Sequence, residues 1–248
     1  MFLPFFYKED LFASNADVVL DEATSKHIVQ VLRMQNGEQL QLTNGKGILF
    51  TAAITDNNRK KCIVSLVQKS EIKNLKSKIS IAISPVKNSA RFEWFLEKAT
   101  EIGVTEIIPL ICSRTEKTVF KFQRMKGILV SAMLQSQQCW LPVLHEPVSF
   151  KKLLEDSKLL KNSKTLQGLD AYQQKFIAHC IDGAKRNLND MNNESLYAKI
   201  ILIGPEGDFT ADEIELALAN NYSAVSLGAT RLRTETAGIV AAVLLSKF

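Results

Sequence analysis

A chain of 248 residues, 46% hydrophobic and 23% charged, has the make-up of a soluble globular protein with room for one large domain or two modest ones. Its apolar start, Met1–Phe12, lacks a basic lead and is broken by Lys8, Glu9 and Asp10, and the longest late apolar run, Gly238–Leu245, is too short for a bilayer; both argue against secretion or membrane spanning and for the cytoplasm. The net charge of +5 is concentrated, with ten Lys and Arg against five Asp and Glu in residues 76–126, nine against eight before and twelve against thirteen after; such a basic segment is either a site for phosphate backbones or a solvated helix face.

Gln39–Asn44, Ile48–Thr55 and Lys61–Gln68 are short, alternating or β-branched runs separated by Asn-Gly and Asp-Asn-Asn turn signals, which predicts a small barrel or sandwich over the first 70 or so residues. One amphipathic helix interrupts them, with Ile28, Val31 and Leu32 on one face and Gly37 as its stop. Glu71–Lys78 is polar and reads as a linker. From Ile79 onward strands and helices alternate: a strand at Lys78–Val86 (KISIAISPV), a helix from Asn88 with Phe92, Phe95, Leu96, Ala99 and Ile102 at helical spacing and Gly103 as its stop, and a strand at Glu106–Cys112. A basic helix spans Phe120–Gln138, and after a polar stretch a further strand covers Lys175–Cys180. This alternation predicts a parallel sheet covered by helices. The cysteines, Cys62, Cys112, Cys139 and Cys180, form no close pair, and no His, Cys and Asp cluster offers a metal site.

The last fifth of the chain holds two strand–loop–helix units, Lys199–Leu218 and Ala224–Leu245. Ligands of open α/β sheets sit beyond the carboxyl ends of the strands, so two such loops can build one pocket. In the first, Gly204-Pro205-Glu206-Gly207-Asp208-Phe209-Thr210, a capping box of Thr210 with Glu213 starts the helix. The loop has no lysine and carries two carboxylates, which suits a neutral or cationic ligand held by backbone groups rather than a triphosphate; a plain turn is the alternative. The second, Gly228–Ala237, crowds Arg231, Arg233 and Glu235 against an apolar helix, as a chemical site or as an interface pairing.

Leu202–Ile214 (LIGPEGDFTADEI) together with Leu227–Ala237 (LGATRLRTETA) resembles the paired signature of the RsmE family of SPOUT-class methyltransferases. The likeness extends to His27–Met34, Lys87–Leu110, Ser113–Lys117 and Phe176–Cys180, so it covers nearly the whole chain. One stretch departs: Leu134 and Gln138 stand where the family commonly has glutamate and arginine.

The resemblance implies an α/β fold, with a SPOUT-type parallel sheet and a C-terminal trefoil knot over residues 73–248, plus a small N-terminal PUA-like β-barrel RNA-binding domain over residues 1–72. It implies a homodimer and an S-adenosyl-L-methionine-dependent transfer to the ring N3 of a uridine in the 16S rRNA of the small ribosomal subunit. A non-catalytic rRNA-binding assembly factor, or ribose 2′-O methylation of transfer RNA, are the alternatives. Cofactor contacts are expected from Ile203, Gly204, Pro205, Glu206, Gly207, Leu227, Gly228, Leu232, Thr236 and Ala237. Because uracil N3 carries a proton, the reaction needs a proton acceptor or groups that stabilise the anion: Arg233 is the candidate for the anion, Glu235 for the proton or for bracing an arginine. RNA contacts are expected from Arg33, Lys87, Arg91, Arg114 and Lys117, with no metal and no membrane involved.

Overall fold

The computed structural model describes residues 3–11, 17–72, 77–116, 118–155, 172–183, 185–193 and 195–246. They fall into two compact units, Met1–Leu75 with Met133–Leu141, and Lys76–Ala132 with Pro142–Phe248.

The first unit holds β1 (Phe5–Tyr7), β2 (Asp17–Val19), α1 (Glu22–Lys26), β3 (Gln39–Thr43), β4 (Ile48–Asp56) and β5 (Ile63–Glu71). They form a five-stranded sheet in the order β1-β3-β4-β5-β2, parallel only between β1 and β3. The alternation read from the sequence turns Leu40, Leu42, Phe50, Ala52, Ile54 and Val64 into one apolar core.

The amphipathic segment differs from expectation. Asp21 caps α1 by accepting the Thr24 amide at 3.0 Å, and the chain then makes a π-helical turn, His27–Val31. Its wider winding rotates the next residues away from the 3.6-residue face. Ile28 and Met34 are buried, whereas Val31 and Leu32 stand 68% and 42% exposed. The turn closes at Arg33, in the left-handed region at φ 57°. Gly37 is no helix stop; it feeds β3, its amide donating to Ile54 O at 2.8 Å.

Met133–Leu141 joins this unit through backbone bonds from Gly47 N to Cys139 O and from Leu141 N to Gly45 O, both 2.8 Å. The Trp140 indole donates to Ile72 O at 3.1 Å and lies over Gly47, where a Cβ would meet its ring at 2.2 Å. Only glycine fits there. Gln138, in the place of the family's arginine, donates to Ser136 Oγ at 3.2 Å.

The second unit comprises β6 (Lys78–Ile83), α2 (Ser89–Ile102), β7 (Glu106–Ile111), α3 (Phe122–Gln135, whose end belongs to the first unit), β8 (Val143–Leu144), β9 (Val148–Ser149) and α4 (Phe150–Glu155). It continues with β10 (Gln174–Ala178), β11 (Arg186–Asn187), α5 (Leu188–Met191), β12 (Ala198–Ile203), α6 (Ala211–Ala219), β13 (Ser223–Ser226) and α7 (Thr234–Leu245). The sheet runs β11-β13-β10-β12-β6-β7-β8, with β9 also on β7, and every pairing is parallel.

Asn88 caps α2 by accepting the Ala90 amide at 3.0 Å, and Gly103 ends it at φ 97°. Phe92, Phe95, Leu96 and Ala99 face the core; Thr100 is buried with them, and Ile102 is only half-buried. At the amino ends of the strands, buried Glu106 accepts from Ser80 Oγ and Tyr172 OH, both at 2.6 Å, and pairs with Lys78 at 3.1 Å. The carboxyl ends are left for the loops.

Candidate active site

β12 is buried throughout and delivers Ile203 and Gly204 to its carboxyl end. A Cβ on Gly204 would meet the Phe209 ring at 3.1 Å, so the loop folds tightly over that fully buried phenyl group. Asp208 turns at φ 63°. Its Oδ2 accepts the Cys180 amide at 2.7 Å, stapling the loop to the end of β10, and its Oδ1 takes the Phe209 amide at 2.8 Å.

On the other side Arg114 donates to Gly207 O at 2.7 Å and Phe209 O at 3.4 Å. The expected capping box is present, with Thr210 Oγ1 accepting from Glu213 N at 3.2 Å. Glu213 does more than close it: Oε2 takes the Thr210 amide at 2.9 Å, while Oε1 takes the Ser113 amide at 2.8 Å. The segment carrying Arg114 is therefore anchored to the helix that follows the loop.

The second loop leaves β13. Ser226 Oγ donates to Gly228 O at 2.9 Å, and Gly228 sits at φ 142°, a conformation side chains resist. The loop ends at Arg233, which precedes α7. Thr234 Oγ1, buried, donates to Gly204 O at 3.0 Å and so ties the second loop to the first. Next to it Glu235 is 5% exposed. Its Oε1 lies 3.8 Å from Arg91 Nε, and another guanidinium nitrogen of Arg91 lies 3.7 Å from Glu206 Oε1. Glu235 Oε2 has no hydrogen-bond partner among the described residues.

Two adjoining clefts result. One, of about 360 Å³, lies against Ile203–Glu206, Asp208, Arg91 and Arg231–Thr234. The other, of about 260 Å³, lies against His179, Lys185 and Val225–Leu232. They share Ala178, Cys180, Arg231, Leu232 and Ala237 and together match the size of small-molecule sites, roughly 300–1,000 Å³. Burial, and then the Lys185 ammonium, hold His179 below the ordinary imidazole range, so its ring is neutral near neutrality.

Of the expected cofactor residues, Ile203, Gly204, Pro205, Glu206, Leu227, Gly228, Leu232 and Ala237 line one or both clefts, while Gly207 backs onto Arg114 and Thr236 lines neither. Arg233 is on the wall; Glu235 is not, lying instead against Arg91, which is. Among the expected RNA contacts Lys87 pairs with Glu116 at 3.0 Å, Arg33 is exposed on the first unit, and Lys117 lies outside the described residues. Ala178, His179 and Cys180 line the clefts without having been expected to, and Asp208 and Arg231, noted in the sequence for their charge but not among the expected cofactor contacts, line them too. The end of Phe176–Cys180, a strand run with a polar finish, was the available signal.

The sequence profile of an RNA methyltransferase domain matches residues 73–246, and that of an RNA methyltransferase PUA domain matches residues 20–67. A ribosomal RNA small subunit methyltransferase E of Synechocystis is 31% identical, over 91% of this chain and 71% of its own length. The crystal structure of a probable rRNA-methyltransferase from Porphyromonas gingivalis superposes with a TM-score of 0.85 at 36% identity, covering 97% of this chain and 95% of that one. A ribosomal RNA small subunit methyltransferase E from Neisseria gonorrhoeae, bound to S-adenosyl methionine, superposes with a TM-score of 0.79 at 27% identity, over 97% and 95%. With both profiles matched, the first over most of the chain, and a relative 31% identical over 91% of it, the chain belongs to the RNA methyltransferase family of the ribosomal RNA small subunit methyltransferase E proteins.

Proposed function

We propose that this chain transfers a methyl group from S-adenosyl-L-methionine to the N3 of a uridine in 16S rRNA of the small ribosomal subunit. The observation that carries the reading is the bond from Thr234 to Gly204 O, which ties the two signature loops together where they line two adjoining clefts. The residues present fit the cofactor: the wall of the larger cleft carries the Glu206 and Asp208 carboxylates together with Arg91, Arg231 and Arg233 and no lysine, so it offers both signs of charge to a ligand with a sulfonium and a zwitterionic tail. When bound, the cofactor supplies an electrophilic methyl on a sulfonium.

The cofactor is held by Ile203, Gly204, Leu227, Gly228 and Leu232, with Arg114, Asp208 and Glu213 keeping the first loop in shape. Arg233, exposed at the rim, stabilises the uracil anion or a neighbouring phosphate. Of the two roles open to Glu235, the contact with Arg91 supports bracing: the carboxylate holds a wall cation in place. Lys87 and Arg91 contribute to the RNA side of the cleft once substrate competes with their carboxylate partners. The base enters unpaired or flipped, because pairing hides N3.

The reading carries with it a trefoil knot through the C-terminal units, a homodimer and a cytoplasmic setting. The insertion of β10 between β12 and β13 supports an interlaced C-terminal region, and half-exposed apolar side chains on α7, with Val243 42% exposed, support a subunit contact. The test is mass spectrometry of nucleosides from small-subunit rRNA incubated with the chain and S-adenosylmethionine. A gain of 3-methyluridine is expected; transfer to ribose alone, or no transfer despite cofactor binding, overturns the reading.

A further inference from the structure

In the wall of the larger cleft Arg91 stands between carboxylates supplied by the two signature loops. The first turn of α2 carries it there, its amide donating to Asn88 O at 3.1 Å. Its Nη1 lies 3.7 Å from Glu206 Oε1 in the first loop, and its Nε lies 3.8 Å from Glu235 Oε1, just after the second. Both distances exceed a hydrogen bond, so the guanidinium is shared between the two carboxylates and locked to neither.

The two carboxylates differ. Glu235 is buried and its Oε2 has no hydrogen-bond partner among the described residues; a buried carboxylate with a free oxygen needs a cation beside it. Glu206 is exposed on the cleft wall, where a ligand can reach it. The Arg91 side chain is 39% exposed, enough to turn outward from a fixed helix. Its basic neighbours are held elsewhere: Lys87 pairs with Glu116 at 3.0 Å, and Arg114 donates to Gly207 O at 2.7 Å. Asp208, the other wall carboxylate, is occupied by the Cys180 and Phe209 amides.

A cationic ligand in this cleft competes with Arg91 for Glu206 and repels the guanidinium. An approaching phosphate then meets a cation that no longer has to be pulled from its carboxylate. We propose that Arg91 is an exchangeable cation that couples the two ligands, held by Glu206 and Glu235 in the chain alone and released toward an RNA phosphate when a positively charged cofactor shares Glu206; this rests on the reading of the chain as an rRNA methyltransferase for the identity of both ligands. RNA affinity therefore rises with S-adenosylmethionine, whose sulfonium gives it a net positive charge, and not with S-adenosylhomocysteine, whose sulfur is neutral. By reciprocity RNA tightens S-adenosylmethionine by the same factor. The chain grips RNA when the methyl donor is loaded and loosens it once the methyl has gone.

The experiment uses the full chain as wild type, Arg91→Ala, Arg91→Lys, Glu206→Gln and the Arg91→Ala/Glu206→Gln double variant. Affinity for a 16S rRNA transcript is measured by filter retention across salt, alone and with saturating S-adenosylmethionine or S-adenosylhomocysteine; calorimetry gives the affinity for each cofactor with and without RNA. In the wild type S-adenosylmethionine tightens RNA about 5- to 10-fold, the lower end of coupling between sites because the pair is partly exposed. It also steepens the slope of log K against log salt by roughly 0.7–0.9, one phosphate contact. S-adenosylhomocysteine does neither, and Arg91→Ala shows neither gain with either cofactor. Arg91→Lys keeps a smaller gain, because an ammonium cannot face both carboxylates, and it carries the test if loss of the cation beside Glu235 unfolds the alanine form. Glu206→Gln tightens RNA without cofactor, and does so less in the Arg91→Ala background. A gain with S-adenosylmethionine as large in Arg91→Ala as in the wild type means that the sulfonium attracts the phosphate directly; equal gains from both cofactors mean that charge is not the link. Either result overturns the proposal. Methylation of rRNA with independent binding of RNA and cofactor leaves the enzymatic reading standing without the exchange, whereas coupled binding without methyl transfer leaves the exchange standing without that reading.

Discussion

Arg114→Ala separates two roles for one arginine. Exposure and the basic neighbourhood suggest a phosphate contact, whereas its hydrogen bonds to Gly207 O at 2.7 Å and Phe209 O at 3.4 Å suggest a brace for the cofactor loop. A hydrogen bond to a charged group contributes about 1.5–3 kcal/mol. Arg114 is exposed and the second contact is long, so the lower end applies, about 1–1.5 kcal/mol. The loop keeps its Asp208–Cys180 bond at 2.7 Å and does not collapse. The dissociation constant for S-adenosylmethionine should therefore rise about 5- to 10-fold. Calorimetry on wild type, Arg114→Ala and Arg114→Lys checks this, with lysine restoring part of the affinity because its ammonium lacks the planar fork. The same proteins are titrated with RNA across salt. If cofactor affinity is unchanged while the salt slope drops by about 0.7, the loss of one phosphate contact, the arginine serves RNA and the bracing argument is wrong.

Gly238→Ala should destabilise the chain by about 1–2 kcal/mol: the new methyl would lie 2.6 Å from Phe95 and 2.8 Å from Ile83, and overpacking of about 1–3 kcal/mol outweighs the helix-propensity gain of about 1. Chemical denaturation reads this, and a stabilised variant would contradict the close approach of α7 at Gly238 to Phe95 of α2 and Ile83 of β6. Arg233→Ala should keep cofactor affinity but lower turnover about 100-fold or more; single-turnover kinetics with near-normal rates would remove the role assigned to that side chain. Burial lowers the pKa of both His145 and His179 below 6.5, so the unfolded chain takes up protons first, and the stability they contribute is present above pH 6.5 and lost as the pH falls through the lowered values. Denaturation midpoints from pH 8 to about 5 should show this fall, and His145→Gln with His179→Gln should flatten it.

What could be read from the chain was mostly local. The alternation in β3, β4 and β5, the Phe92–Phe95–Leu96–Ala99 face of α2, its Gly103 stop and the Thr210–Glu213 capping box are all set by residues within a few positions of one another. The π-helical turn was not legible because one extra residue per turn leaves no mark in composition, so Val31 and Leu32 seemed a core face. Nor was the attachment of Met133–Leu141 to the first unit, since the reason for it is Trp140 lying on Gly47, some ninety positions away. The site divided in the same way. Its two glycine loops stood out as motifs, but the end of β10 enters the crevice only through pairing with β12 and β13. Arg91 reaches it only because α2 places its first turn beside Glu206 and Glu235.

Charge shows most sharply where counting along a sequence fails. The surplus in residues 76–126 looks like a phosphate track until its partners are placed. Lys78 pairs with Glu106, Lys87 with Glu116, Lys98 with Glu97 and Glu101, Arg124 with Glu93, and Arg91 approaches Glu206 and Glu235. Arg114 is committed to backbone carbonyls. A cation already facing a carboxylate contributes little to the field that a phosphate meets, and an arriving backbone must first break that pair. In residues 1–75, nearly balanced at nine against eight, Arg33, Arg59, Lys60 and Lys61 make no ion pair among the described residues.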